Sequence, residues 1–165
     1  MPIVNNVTRL LDSHKVKYRA HELPAEKLGA LEAAEVMGVP PEQVFKTIVV
    51  TREPAGLRTK GKKPVLAVVP GPAVVDLKLL ASFLGEKKMY LPTEREAEAL
   101  TGLQAGGISP LALINKGFQV VIDSSAQGYE RIYVSGGQRG LDIQLPVESL
   151  ARLTNARFGS IAHNE

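Results

Sequence analysis

Apolar side chains in this chain change their spacing several times, and each change marks an element. Val7, Leu10, Leu11 and His14 fall at i, i+3, i+4 and i+7, one face of a helix, with Asn6 as its expected cap. Val16, Tyr18 and Ala20 then alternate with Lys17, Arg19 and His21, the pattern of a half-exposed strand. Residues 30–37 are rich in Ala and Glu and predict a helix that Gly38 stops in the left-handed conformation. Pro40 and Pro41 open a short turn or helix, and the β-branched run 45–51 (FKTIVVT) reads as a strand. No apolar period survives in 52–64, which is expected to be a long hairpin loop into a strand at 65–69. Further helices are predicted from Asp76 through Phe83, with Gly85 as the stop, and from a Thr93/Glu96 capping box to Gly102. Strands are expected at 119–123, 131–135 and 141–145. Pro146 suits the first turn of a last helix at 147–153, and a short strand follows at 156–158.

Helices interleave with strands, yet several strands follow one another through short turns. That order points to an α+β fold with a mixed sheet and helices packed outside it. The 165 residues fit one domain, 1–165, long enough to bury a core without staples. Composition adds exclusions. With no cysteine, disulfides, thiolate metal sites and a cysteine nucleophile drop out. No apolar run approaches the roughly 18 residues of a membrane span, and no signal peptide is visible, so a cytoplasmic protein is expected.

The formal net charge is only +3, but it is uneven: residues 1–82 hold 12 Lys+Arg against 8 Asp+Glu. Arg58, Lys60, Lys62 and Lys63 concentrate the excess. They form either a solvated loop or an edge that contacts phosphates. The run 56–63 (GLRTKGKK) nearly matches a phosphate-binding P-loop, but Lys63 stands where a Ser or Thr should hold magnesium. A strand follows it where a P-loop needs a helix. His14, His21 and His163 are scattered without ligand spacing, so no metal is expected. No G-x-S-x-G nucleophile elbow is present.

Three segments carry more chemistry than a scaffold requires. Lys46 opens a strongly apolar strand, so its amine either snorkels to water or enters a pocket. The segment TGLQAGGISP (101–110) pairs glycines ahead of a proline. It is either a tight turn or a set of exposed backbone N–H groups able to hold an oxygen. The segment YVSGGQRGLD (133–142) joins two strands and carries Ser135, Arg139 and Asp142.

Together with DLKLLASFLG (76–85) and the closing ARFGSIA (156–162), these segments resemble the YbaK/ProX family of aminoacyl-tRNA deacylases, relatives of the editing domain of bacterial prolyl-tRNA synthetases. The likeness covers nearly the whole chain. It is nearest to the YbaK branch, whose members clear cysteine mischarged onto proline tRNA. The resemblance implies a curved mixed sheet or partial barrel flanked by helices. It implies that Lys46 is the essential lysine and Thr47 its neighbour in the pocket. Gly106, Gly107, Ile108, Ser109 and Pro110 match the G-x-x-x-P loop that faces the aminoacyl group. Ser135, Gly136, Gly137, Arg139 and Asp142 match residues near the same pocket.

On this view the Gly106 and Gly107 amides would hold the ester carbonyl, and Lys46 would bind the aminoacyl end or the terminal phosphate. The attacking group would be water or a group of the substrate; in the YbaK branch the resemblance implies the substrate's own cysteine thiol, which leaves as a thiolactone, with no cofactor. Relatives place aromatics at 20–30; here AHELPAEKLGA has none, and Leu23 or Leu28 is expected to fill the space. The expected partners are the acceptor end of a mischarged tRNA, with Arg58, Lys60, Lys62 and Lys63 as phosphate contacts, and prolyl-tRNA synthetase. The rival readings are a non-catalytic module that holds a tRNA end or nucleotide and docks on the synthetase, and a hydrolase of this fold acting on another small ester or on a nucleotide. The intact Lys46 and G-x-x-x-P loop favour the deacylase.

Overall fold

The computed structural model describes residues 3–54 and 63–164. In chain order its elements are α1 (Asn6–Ser13), β1 (Arg19–Glu22), α2 (Ala30–Met37), β2 (Phe45–Val50), β3 (Val65–Pro70), β4 (Ala73–Val75), α3 (Leu77–Leu84) and α4 (Glu94–Thr101). Then come β5 (Gln119–Asp123), β6 (Arg131–Ser135), β7 (Leu141–Pro146), α5 (Val147–Thr154), β8 (Arg157–Gly159) and β9 (Ala162–Asn164). Short 3₁₀ turns occupy Pro41–Gln43, Pro110–Leu113 and Ser124–Gly128. The mixed α+β order is the one expected.

Two sheets enclose the main core. The first runs β2-β3-β5-β8, with β2 antiparallel to β3 and the other pairs parallel. The second, β1-β7-β6, is antiparallel throughout. A parallel bridge between Val44 and Tyr133 joins them where β2 passes β6. Phe45 and Val49 of β2, Leu66 and Val68 of β3, Ile132 and Val134 of β6, and Ile143 and Leu145 of β7 all meet in one buried cluster. Inner faces of both sheets therefore wrap one core, which is the curved, partly closed wall expected. Strand β3 reads VLAVV because it is central: its alternate residues Val65, Ala67 and Val69 enter a second cluster under α3 with Leu80 and Met89.

Three expectations shift, and two short strands are additional. The cap of α1 is Asn5, not Asn6: its side chain accepts from the Thr8 amide at 3.0 Å while Thr8 Oγ1 takes the Asn5 amide at 2.9 Å. The first strand begins only at Arg19. Lys15 turns the chain at φ 56, and Val16 closes the helix end by donating to Leu11 O, so Val16 and Tyr18 pack against the core instead. Pro146 ends β7 and caps α5 rather than sitting inside its first turn. Strands β4 and β9 pair over three residues each, too few to show alternation in a sequence.

Asn5 does more than cap. Its Nδ2 donates to Gly136 O and to Gln138 Oε1, both at 2.9 Å, and so ties α1 to the β6–β7 turn. Asn5→Ala is expected to cost roughly 1–2 kcal/mol in urea unfolding. Asn5→Asp keeps the cap but loses both donors, and should recover only part of that.

Candidate active site

Strand β2 is the edge of its sheet, so its flank is open where β3's is covered. Phe45, Lys46, Thr47, Ile48 and Val49 all line a cavity of 510 Å³. Further walls come from Lys27, Leu28, Ala30, Glu32 and Ala33 at and just before α2, from Leu91, Pro92, Glu94 and Ala97 at α4, from Ala105, Gly106 and Ile108, and from Ser135 and Asp142.

Three loops far apart in sequence meet beside this cavity. A Cβ on Gly107 would lie 2.9 Å from the backbone of Gln138 and Arg139, so only glycine admits this approach. Arg139 Nε reaches across to Ala105 O at 2.7 Å. Gly106 takes φ +87, and a Cβ there would lie 3.2 Å from Lys27 Cα. Leu23 N donates to Gly140 O at 2.9 Å, which draws in the start of the same 23–29 loop.

Lys46, Thr47, Gly106, Ile108, Ser135 and Asp142 thus come together on the cavity wall. Gly107, Ser109, Pro110, Gly136, Gly137 and Arg139 stand behind it. One expectation is corrected: the Gly107 amide donates to Gln104 O at 2.8 Å inside its own turn, so two successive glycine amides do not face a carbonyl. Ser109 is fully buried, and its Oγ caps the 3₁₀ turn that Pro110 begins by accepting from Leu111 N. Gly136 closes the hairpin by donating to Leu141 O, and the Gly137 amide binds Ser135 Oγ. Lys63 lies away from the cavity, its side chain packed along Gly117. Arg58, Lys60 and Lys62 lie outside the described residues. Leu28, not Leu23, lines the cavity where relatives were expected to place aromatics. The walls at 91–97 carry no sequence signal beyond an ordinary capping box.

The polar groups differ in character. Lys46 Nζ donates to Gly71 O at 3.1 Å. Thr47 Oγ1 is buried with no hydrogen-bond partner among the described residues. Asp142 sits between His21 of β1 and Ser135 of β6 in one row across the sheet. Burial pushes its carboxyl up to about 6. Lys27 Nζ and Glu94 Oε2 pair at 2.6 Å between two walls of the cavity, half exposed and worth no more than about 1 kcal/mol. Among the described residues no group of three or more His, Asp or Glu is placed to hold a metal. Among the described residues the lining therefore offers two lysines (Lys27 and Lys46), three carboxylates (Glu32, Glu94 and Asp142), the hydroxyls of Thr47 and Ser135, and apolar walls. Charged groups of both signs beside apolar walls can hold a small molecule that carries both a cationic and a polar end.

The Asp142 carboxyl also sets a pH dependence of stability. Unfolded, it loses its proton near 3.8; folded, near 6, so the folded state binds more protons between those values. The stability held by the neutral form is complete below about pH 4 and lost as the pH rises through 6. Asp142→Asn is expected to raise unfolding free energy by up to roughly 3 kcal/mol at pH 7.5 and by almost nothing at pH 3.5, read from urea melts.

Comparison with known proteins gives one coherent answer. The family described as "Aminoacyl-tRNA editing domain" matches residues 25–153, a stretch that contains every residue lining the cavity. A curated Enterococcus faecalis protein, "Putative Cys-tRNA(Pro)/Cys-tRNA(Cys) deacylase EbsC", is 36% identical over 162 residues, 97% of this chain and 94% of that one. Two solved structures share the fold. One is of a hypothetical protein (TM-score 0.83, 20% identical, 96% of this chain and 100% of that one). The other is of "a putative trans-editing enzyme for prolyl tRNA synthetase" (TM-score 0.77, 23% identical, 99% and 100%). With three quarters of its length matched and a full-length relative above 30% identity, the chain belongs to the aminoacyl-tRNA editing domain family.

Proposed function

We propose that the protein is an aminoacyl-tRNA deacylase that removes a small amino acid, cysteine above all, wrongly esterified to proline tRNA. The observation that carries this is the meeting of Lys46 and Asp142 in one cavity inside the family-matched stretch. The name of the E. faecalis relative supports the choice of cysteine and of proline tRNA. An aminoacyl ester is already activated, so positioning and oxyanion stabilisation suffice, with no protein nucleophile and no cofactor.

The roles follow from the residue types. Ionised Asp142 receives the α-ammonium of the amino acid. Lys46 stabilises the negative charge that develops on the carbonyl oxygen, or holds the terminal phosphate. The Thr47 hydroxyl, from the other face of β2, and the Gly106 amide are further donors on the cavity wall. The substrate thiol attacks its own carbonyl carbon: a C–S bond forms, the bond to the ribose oxygen breaks, and the thiol proton passes to that oxygen. Free tRNA leaves with a thiolactone, which water opens to cysteine. A chain without cysteine can follow this route because the sulfur arrives with the substrate. The enzyme works in the cytoplasm on tRNA that prolyl-tRNA synthetase has mischarged, and takes tRNA identity from that synthetase, since this chain has only 5% aromatic residues with which to stack bases.

Release of labelled cysteine from proline tRNA is the direct test. Lys46→Ala should lower kcat by roughly 10²–10³, the loss typical of one oxyanion donor. Equal, negligible release by both proteins would leave a binding module instead, and a covalent aminoacyl-enzyme seen by mass spectrometry would remove the thiol route. The wild-type kcat/KM should fall as the pH drops through about 6, as Asp142 takes up its proton. Asp142→Asn should be slow throughout and lack that limb in a pH–rate profile.

A further inference from the structure

The stretch 86–91 links α3 to the cavity mouth and is pinned at three points. Glu86 is paired with Arg52, Nε to Oε2 at 3.0 Å, and Arg52 also bonds Gln119 Oε1. Met89 is buried in the second core cluster. Tyr90 is locked to Thr51 by two backbone bonds, 2.8 and 2.9 Å. Between and beyond these anchors Lys87, Lys88 and Leu91 point outward. Lys88 Nζ rests 5.3 Å from the centre of the Tyr90 ring, which holds the ammonium in place. Leu91 is 56% exposed and yet lines the cavity. Because Arg52 neutralises Glu86, the ledge presents two lysines and one apolar side chain leading to the cavity.

The acids nearby are engaged: Glu94 with Lys27, Glu96 with the Thr93 amide, Glu98 with the Ala105 amide. Two lysines on a segment anchored on either side, ending at an exposed apolar residue, match a single nucleic-acid strand, whose phosphates need the charge and whose bases can rest on the apolar face.

We propose that the 87–91 ledge carries the unpaired 3′ end of the RNA, with Lys87 and Lys88 on its phosphates and Leu91 under its last base as the terminal ester enters the cavity. This rests on the reading that the ester is borne by tRNA.

The test uses uncharged RNA, so that it does not depend on catalysis. An acceptor-stem hairpin with an unpaired 3′ end is compared with the same hairpin made blunt, binding being followed by fluorescence anisotropy across a salt series. Wild type should prefer the unpaired end. Lys87→Ala/Lys88→Ala should lose that preference, with melting temperature checked against wild type. Losing two single-strand phosphate contacts should lower the log–log salt slope by about 1.4. Wild type then sheds roughly seven-fold more affinity than the variant between about 50 and 200 mM salt. Leu91→Asp should weaken the tailed hairpin and leave the blunt one unchanged.

An unchanged slope, or equal losses on both hairpins, overturns the ledge. So does wild type that binds neither hairpin but captures an acidic protein surface through these lysines. Tight, lysine-dependent binding without release of cysteine from charged tRNA would uphold the ledge and defeat the deacylase reading.

Discussion

The approach of Gly107 to the Gln138–Arg139 backbone is the contact on which the cavity depends. A single Cβ at that point would sit 2.9 Å from main-chain atoms on the other loop. Neither loop can yield easily. The 104–110 loop is held by Arg139 on Ala105 O and by the buried Ser109 cap, and the 136–140 turn by Asn5 from the first helix. With the two backbones in contact, Gly106 and Ile108 are set on one wall and Ser135 and Asp142 on another. The glycines of both loops therefore serve packing first. Their value to the chemistry lies in where they bring their neighbours.

Strand β2 divides its side chains between two environments. Phe45 and Val49 enter the core between the sheets, and Val50 enters the cluster under α3. Lys46 and Thr47 therefore leave the strand on opposite faces, as alternation requires. Both still reach the cavity because β2 has no neighbour on its outer side within its own sheet. An edge strand is usually a liability; here its open flank becomes one wall of the cavity.

Asp142 shows what such a cavity demands of the fold. Its carboxyl is ionised at neutral pH in surroundings that favour the neutral acid. Strand β7 holds it there: Leu141, Ile143 and Leu145 are buried, and the strand is paired in register on both sides. Stability and charge are in opposition at this position. A carboxylate kept at such a cost is what a site for a cationic group needs.

Much of this was legible in the residues. Helix α2 with Gly38, α3 with Asp76 and Gly85, and α4 with its Thr93/Glu96 box are set by local hydrogen bonds and left-handed stops, and all three stand where the sequence puts them. Strands β2, β3 and β5 follow from their apolar runs. The resemblance singled out Lys46, Gly106, Ile108, Ser135 and Asp142, which share one cavity. Other features depended on contacts between distant segments. The three-residue strands β4 and β9 exist only by pairing with each other. The approach of Gly107 to the Gln138–Arg139 backbone joins loops about thirty residues apart, which no spacing rule reveals. The wall at 91–97 and the choice of Leu28 over Leu23 depend on which loops pack together. Local sequence determines caps, turns and periodicity because those interactions span a few residues. Tertiary structure decides which polar atoms are already satisfied and which remain for a ligand, because their partners lie up to a hundred residues or more along the chain.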